Sequence, residues 1–229
     1  MTPDQAGFFV DQGYLRLEGF HPRKRMMAAR QQLLDRVARL SGGKGMPRSL
    51  QGLPVFQQIG KLSGLVDAPG LHQALMTPAL IDHVTQLAGH APAVIQDTRL
   101  LLSPPHQGAW TLDGLNWHVD IACQDRLPGI QAFFLIDDVA PRGGATLALT
   151  GSHRAGIRQA GPAASLRAAL KTAAGLQRHL REQGIAILEM SGRAGDVYLM
   201  DMRLLHTPSI NTTRNLRMMA TSRCFLDSP

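Results

Sequence analysis

Gly129-Ile-Gln-Ala-Phe-Phe-Leu-Ile136 and Ala145-Thr-Leu-Ala-Leu-Thr150, parted by Pro141-Arg-Gly-Gly144, set the architecture of the chain. Two short apolar runs with aromatic and β-branched residues, separated by a Pro/Gly turn, predict strands. The pattern extends outward to 94–102, 185–190, 196–200 and 216–225, with turn clusters at Ser103-Pro104-Pro105 and Gly192-Arg-Ala-Gly-Asp196. Several short strands spaced by such turns predict an antiparallel sandwich or barrel.

The region before residue 93 has a different period. Over 22–40, Met26, Met27, Leu33, Leu34, Val37 and Leu40 recur at spacings near three and four, which gathers them on one stripe of a helix. Pro22 suits the first helical position and Gly42-Gly43 the stop. A second helix is predicted over 71–87, broken near Pro78. Leu166, Leu170, Ala173, Leu176 and Leu180 predict a further helix, inserted near 155–182 between strands. The expectation is an α+β fold in a single domain, 1–229. Residues 1–92 supply an N-terminal strand and helices, and 93–229 a barrel with the insert.

With 44% hydrophobic and 18% charged residues, the chain has the composition to bury a core, and disorder is excluded. No apolar run approaches a membrane span, and the N-terminus lacks the basic and apolar regions of a secretory signal. A cytoplasmic location is expected. Cys123 and Cys224 read as free thiols, a single bridge between them being the alternative. The net charge of +7 is unevenly placed: residues 21–48 and 154–181 carry more than all of it, and the remainder is acidic. Basic helices would then dock on an acidic barrel or guide an anion to its mouth. Nucleic-acid binding is not expected, because aromatic residues are only 5% and do not interleave with the basic clusters.

The chemistry centres on His118-Val119-Asp120, where positions i and i+2 of an extended segment face the same way. An imidazole and a carboxylate there can grip one metal ion from one side, provided a third ligand comes from elsewhere. His206, after the strand that follows Asp196, has the better context for this than His153, which reads as a turn residue bonded to nearby backbone. Two histidines and one carboxylate with three open positions form the facial triad of non-haem Fe(II) oxygenases. Arg217, eleven positions beyond His206, would hold the far carboxylate of a 2-oxo acid through a charge-assisted pair.

Four ordered segments carry a resemblance: Asp11-Gln-Gly-Tyr-Leu-Arg-Leu-Glu-Gly-Phe20, Trp117-His-Val-Asp120, Gly143-Gly-Ala-Thr-Leu-Ala-Leu-Thr-Gly-Ser-His-Arg154, and His206 followed by Asn211-Thr-Thr213 and Arg217. Over most of the chain the sequence resembles the phytanoyl-CoA dioxygenase family of Fe(II)/2-oxoglutarate-dependent oxygenases. The resemblance implies a double-stranded β-helix (jelly-roll, cupin-like) barrel, with Fe(II) held by His118, Asp120 and His206. It implies 2-oxoglutarate as co-substrate, anchored by Arg217, with O₂ consumed and succinate and CO₂ released. Ser103 stands where members often have Lys, and Pro208 where many have Ser, with Ser209 adjacent. Phe133 replaces a bulky Trp beside the co-substrate. Asp120 is retained, unlike in the related halogenases, which points to a hydroxylase or another oxidase.

Arg99, Asn116, Trp117 and Arg203 are the candidate substrate residues, Arg99 being open between substrate contact and a structural ion pair. Arg223 could also meet an anionic substrate, and the insert near 155–182 could be a lid or a buttress. The expected activity is oxidation of a polar small-molecule metabolite, an anionic one included, by a monomer or homodimer without membrane or nucleic-acid partners. The competing readings are an oxygenase for an acyl thioester or peptidyl side chain, and a catalytically inactive basic binding module.

Overall fold

A computed structural model describes residues 1–43, 46–50, 52–121, 126–155, 174, 178, 180, 182 and 185–227. The chain opens with α1 (Pro3–Gln12), built on local rules. Thr2 and Gln5 form a reciprocal capping box, Pro3 occupies the first turn, and Gly13 closes the helix in the left-handed region with φ 78°. Strand β1 (Tyr14–Leu17) follows, and then α2 (Arg23–Leu40), which buries Met26, Leu33 and Val37. Pro22 is the N-cap of α2 and not its first helical residue. The predicted helix over 71–87 is two helices, α4 (Leu71–Leu75) and α5 (Pro78–Ala88), because Thr77 caps a new N-terminus at Pro78. Between them and α2 lies α3 (Val55–Leu65), burying Ile59 and Leu62.

The strands form two antiparallel sheets. The larger has the order β1, β7 (Val197–Asp201), β4 (Gly129–Leu135), β9 (Arg217–Phe225), and β9 then pairs with both β2 (Val94–Ile95) and β3 (Arg99–Ser103). The single strand expected over 94–102 is thus two. The smaller sheet has the order β6 (Ile187–Glu189), β5 (Thr146–Leu149), β8 (His206–Pro208). Isolated bridges His118↔His206, Val139↔Gly192 and Gly143↔Asn211 extend the pairing beyond the strands. Among the described residues these are open sheets and not a closed barrel.

Alternation along β4 shows how the layers are arranged. Ile130, Ala132, Phe134 and Ile136 pack with Met26, Leu33, Leu62, Leu80 and Val84 of the helices. Phe133 and Leu135 point the other way, into a second cluster with Tyr198, Met219 and Ala148 of the smaller sheet. A strand buried on both faces loses the polar half of its pattern, so 129–136 reads as apolar on both faces, broken only at Gln131. A third cluster of Leu112, Leu115, Leu147, Leu149 and Leu180 lies beyond the smaller sheet. Most of the predicted insert lies outside the described residues, as does Cys123; Ala174, Arg178, Leu180 and Glu182 are helical. Cys224 is a buried free thiol, which burial pushes up to about 12.

The basic helix does dock on acidic groups. Arg23 makes a two-pronged pair with Asp138 at 2.8 Å, and Arg30 pairs with Asp137. Nearby, His21 is buried against Phe20 and Phe134, and its amide donates to Gly195 O at 2.9 Å. Gly195 has φ 101°, and a Cβ there would collide with the His21 carbonyl oxygen. Gly195→Ala is therefore expected to cost about 2–4 kcal/mol in urea unfolding. Gly7→Ala, in the exposed middle of α1 with open space around it, is expected to raise stability by up to about 1 kcal/mol.

Burial pushes the His21 imidazole down from 6.5 to about 4. Between those values the unfolded chain binds a proton that the folded chain does not, so stability rises with pH across the window and is lost on acidification. His21→Phe should lose less stability than wild type between pH 7 and pH 5, measured by urea midpoints of the metal-free protein.

Candidate metal and co-substrate site

The site is built on a bridge between the segment before β4 and the start of β8. His118 N–H donates to His206 O at 3.0 Å, and His206 N–H donates back to His118 O at 2.9 Å. Residues paired in this way put their side chains on one face, and the two imidazole centroids lie 4.3 Å apart. Asp120, two residues on, is fixed by its N–H to Met202 O at 3.1 Å and joins the same face. One ligand atom from each of His118, Asp120 and His206 lies within 4.8 Å of the others.

Each donor is prepared for a cation. The Nδ1 of His118 donates to Asn116 O at 2.9 Å and that of His206 to Leu204 O at 3.1 Å. A carbonyl only accepts, so both Nδ1 carry the proton and both Nε2 present lone pairs. Burial pushes His206 down to about 4, outweighing the opposing pull of Asp120, and the ring is neutral near pH 7. Asp120 is divided: Oδ1 pairs with Arg223, whereas Oδ2 is buried without a hydrogen-bond partner, 3.7 Å from His206 Nε2. Two neutral imidazole nitrogens and one unpartnered carboxylate oxygen fit a divalent transition metal with open positions.

A cavity of about 710 Å³ opens from His118 and His206. Arg217, 4% exposed, lines it and donates Nη1 to Leu101 O at 2.7 Å, while its Nε has no partner. No carboxylate pairs with it among the described residues, and burial pushes its pKa down to about 9, which still leaves a cation at neutral pH. Phe133 lines the cavity with its ring centroid 6.2 Å from that of His206. Small residues of α3, Gly60, Ser63 and Gly64, form the facing wall.

The remaining candidates are placed differently. Arg99 is exposed at the cavity and has no ion pair among the described residues. Ser103 and Ser209 are fully buried, with hydroxyls donated to Gln107 Oε1 and Ala145 O, and neither lines the cavity. Asn116 is exposed and contributes the carbonyl that orients His118, and Trp117 packs with the third cluster. His153 sits in the short helix α6 (Ser152–Ala155) and donates Nε2 to Val10 O at 2.9 Å. Arg203 lies in the turn after β7, not in a strand, and is clamped to Asp201 through Nε at 3.0 Å and Nη2 at 2.7 Å.

Gln131, Thr146, Thr221 and Arg223 also line the cavity, and the sequence reading gave only Arg223 a role. A usable signal was present, since Gln131 interrupts an apolar strand two residues before Phe133 and so shares its face. Likewise Thr221 and Arg223 fall four and six residues after Arg217 along β9.

His118 and His206 line one cavity with the buried Arg217, and Asp120 stands beside the two histidines, an arrangement that could hold a divalent metal ion with an anion next to it. The sequence matches the phytanoyl-CoA dioxygenase family over residues 9–219. No curated protein gives a significant match. Three solved structures are similar. AviO1 from Streptomyces viridochromogenes Tue57 has a TM-score of 0.65 and 16% identity, over 99% of this chain and 96% of its own. SnoK, a non-haem alpha-ketoglutarate-dependent carbocyclase from nogalamycin biosynthesis, has a TM-score of 0.65 and 19% identity, over 98% and 84%. EctD from S. alaskensis, solved with 2-oxoglutarate and 5-hydroxyectoine, has a TM-score of 0.66 and 18% identity, over 98% and 76%. At these identities the likeness is one of fold. The chain belongs to the phytanoyl-CoA dioxygenase family, whose cofactors are Fe(II), 2-oxoglutarate and O₂.

Asp201 and Arg203 side chains are 3% and 10% exposed, so breaking the pair strands a charge. Arg203→Met is expected to destabilise by about 3 kcal/mol in thermal or urea unfolding. Co(II) affinity, measured by calorimetry, should not change.

Proposed function

We propose that the protein is an Fe(II)/2-oxoglutarate-dependent dioxygenase that hydroxylates, or otherwise oxidises, an aliphatic C–H of a polar small-molecule metabolite. The carrying observation is a three-donor cluster whose two histidines line a cavity together with a buried arginine that has no carboxylate partner among the described residues. When bound, the iron supplies O₂ activation coupled to decarboxylation of 2-oxoglutarate, leaving succinate and CO₂. The chain does the positioning. His118 and His206 Nε2 and Asp120 Oδ2 hold the metal from one side and leave the other to the co-substrate. Arg217 receives the distal carboxylate, an interaction strengthened because the guanidinium is already stripped of water. Phe133 and the α3 wall exclude water from the reacting face.

The cavity suits a small molecule more than a peptide or long acyl chain, lying within the range of roughly 300–1,000 Å³ usual for such ligands. Gln131 makes it polar. Thr221 gives its hydroxyl proton to Ala132 O at 2.9 Å, so Oγ1 must accept from Gln131 Nε2, also at 2.9 Å. This orients the amide and leaves Gln131 Oε1 buried without a partner among the described residues. A buried acceptor on a cavity-lining residue suits a substrate hydroxyl or N–H, and Arg99 offers a cation at the same cavity. We assign the two sheets as the halves of a double-stranded β-helix in a single catalytic domain, working as a monomer or homodimer. A reducing cytoplasm suits both Fe(II) and the free thiol of Cys224.

Anaerobic addition of Fe(II) and then 2-oxoglutarate should produce a visible metal-to-ligand charge-transfer band. His118→Ala should abolish it, and Arg217→Met should raise the 2-oxoglutarate concentration needed by about 10- to 100-fold. Absence of the band in the metal-replete wild type would overturn the assignment.

A further inference from the structure

Arg223 is the charged neighbour of the metal face that the mechanism above leaves without a task. It sits near the end of β9, with its Cα directly opposite Gln131 of β4, and reaches across to Asp120 on the segment leading out of the His118 bridge. The Asp120 side chain is 5% exposed and that of Arg223 is 36% exposed, so the carboxylate is enclosed while the guanidinium also borders the cavity. The two carboxylate oxygens are thereby made unequal. Oδ1 is taken by Arg223, and Oδ2 is free beside His206 Nε2.

We infer that Arg223 is a positioning residue for the metal site, holding Asp120 so that one oxygen alone faces the ion. This rests on the reading of His118, Asp120 and His206 as metal ligands. An unrestrained carboxylate can rotate, and it can chelate through both oxygens and take a position that the co-substrate needs. With Oδ1 fixed, the three residues offer three donor atoms and leave the rest of an octahedral shell open. Arg223 also balances the charge of Asp120, so the metal retains more attraction for the 2-oxoglutarate dianion. Arg217 has a different part: it has no carboxylate partner among the described residues and is available to the co-substrate itself.

A consequence follows for the empty-ligand variant. Removing the carboxylate while keeping Arg223 leaves a cation next to a vacant metal position, a pocket shaped for a small anion. Formate should occupy it and restore metal binding.

Co(II) and Ni(II) binding to the full chain, followed by calorimetry and by the Co(II) d–d spectrum, tests the inference. Arg223→Leu should weaken Co(II) affinity by about 10- to 100-fold, the usual effect of losing a group that orients a ligand. Arg223→Lys should recover part of the loss and part of the wild-type spectrum. Asp120→Gly should bind Co(II) weakly and regain affinity in formate, whereas Asp120→Gly with Arg223→Leu should not. Equal Co(II) affinity and spectrum in wild type and Arg223→Leu would overturn the positioning role, as would equal formate rescue with and without Arg223. Should Arg223→Leu fail to fold, Arg223→Gln, alone and combined with Asp120→Gly, is read in the same way. Failure of wild type to bind either metal is a different result, and it would sink the metal site itself.

Discussion

The reciprocal pair of hydrogen bonds between His118 and His206 is the constraint on which the site depends. It joins the segment approaching the larger sheet to the first residue of a strand in the smaller one. Because the bonds run between backbones, they fix the face from which both histidine side chains project, and Asp120 inherits its direction from the two-residue period. The carbonyls of Asn116 and Leu204, each two residues upstream of its histidine, then set both tautomers in the same way. A slip of one residue in this pairing would turn the ligands to the opposite face and dismantle the site.

The charge excess resolves into local compensation. Asp137 and Asp138 follow β4 and take Arg30 and Arg23 of α2, so part of the basic helix is a docking surface. Exposed pairs of this kind contribute little individually, and the apolar stripe of Met26, Leu33 and Val37 carries more of the attachment. Inside the sheets the accounting differs, because desolvated charges cannot be left alone cheaply. Asp201 has Arg203 and Asp120 has Arg223. Of these three arginines Arg217 alone has no carboxylate partner among the described residues, which is why its isolation points to a ligand.

What the sequence could convey follows from the range of the interactions involved. Periodicity located α2 and most strands because a core-facing stripe or a doubly buried strand is written in consecutive residues, as in 129–136. The helix α1 is also written locally, in the Thr2-Pro3-Asp4-Gln5 capping box, but its apolar stripe is too short to show as a period, with Phe9 alone buried. The helix α3 was obscured by Gly60 and Gly64, poor helix formers whose smallness serves the cavity. His118, Asp120, His206 and Arg217 were legible from residue type and order. The partners of Arg203 and Arg223 were not, since one is decided by a turn and the other by which strand lies across from Asp120. Gln131 illustrates a third case: its position was visible, but its free oxygen depends on where the Thr221 proton goes, which only the folded backbone determines.

Strand β9 shows how one element reconciles these demands. Arg217, Met219, Thr221 and Arg223 alternate with Met218, Ala220, Ser222 and Cys224, so one face serves the cavity and inner core while Met218, Ala220 and Cys224 of the other pack toward the helices. Six residues of extended chain separate the two arginines, a span of about 20 Å at Cα level. At one end a buried guanidinium is tied to Leu101 O and left without a counter-ion; at the other a guanidinium is committed to a carboxylate. Both are desolvated to different degrees, and only the sequence spacing keeps them from sharing one anion. Pairing along both edges keeps β9 extended, so the gap between the two positions cannot shorten without breaking its hydrogen bonds to β3 and β4. The division between a cation for the co-substrate and a cation for the metal ligand is therefore held by the sheet, and not by the arginines.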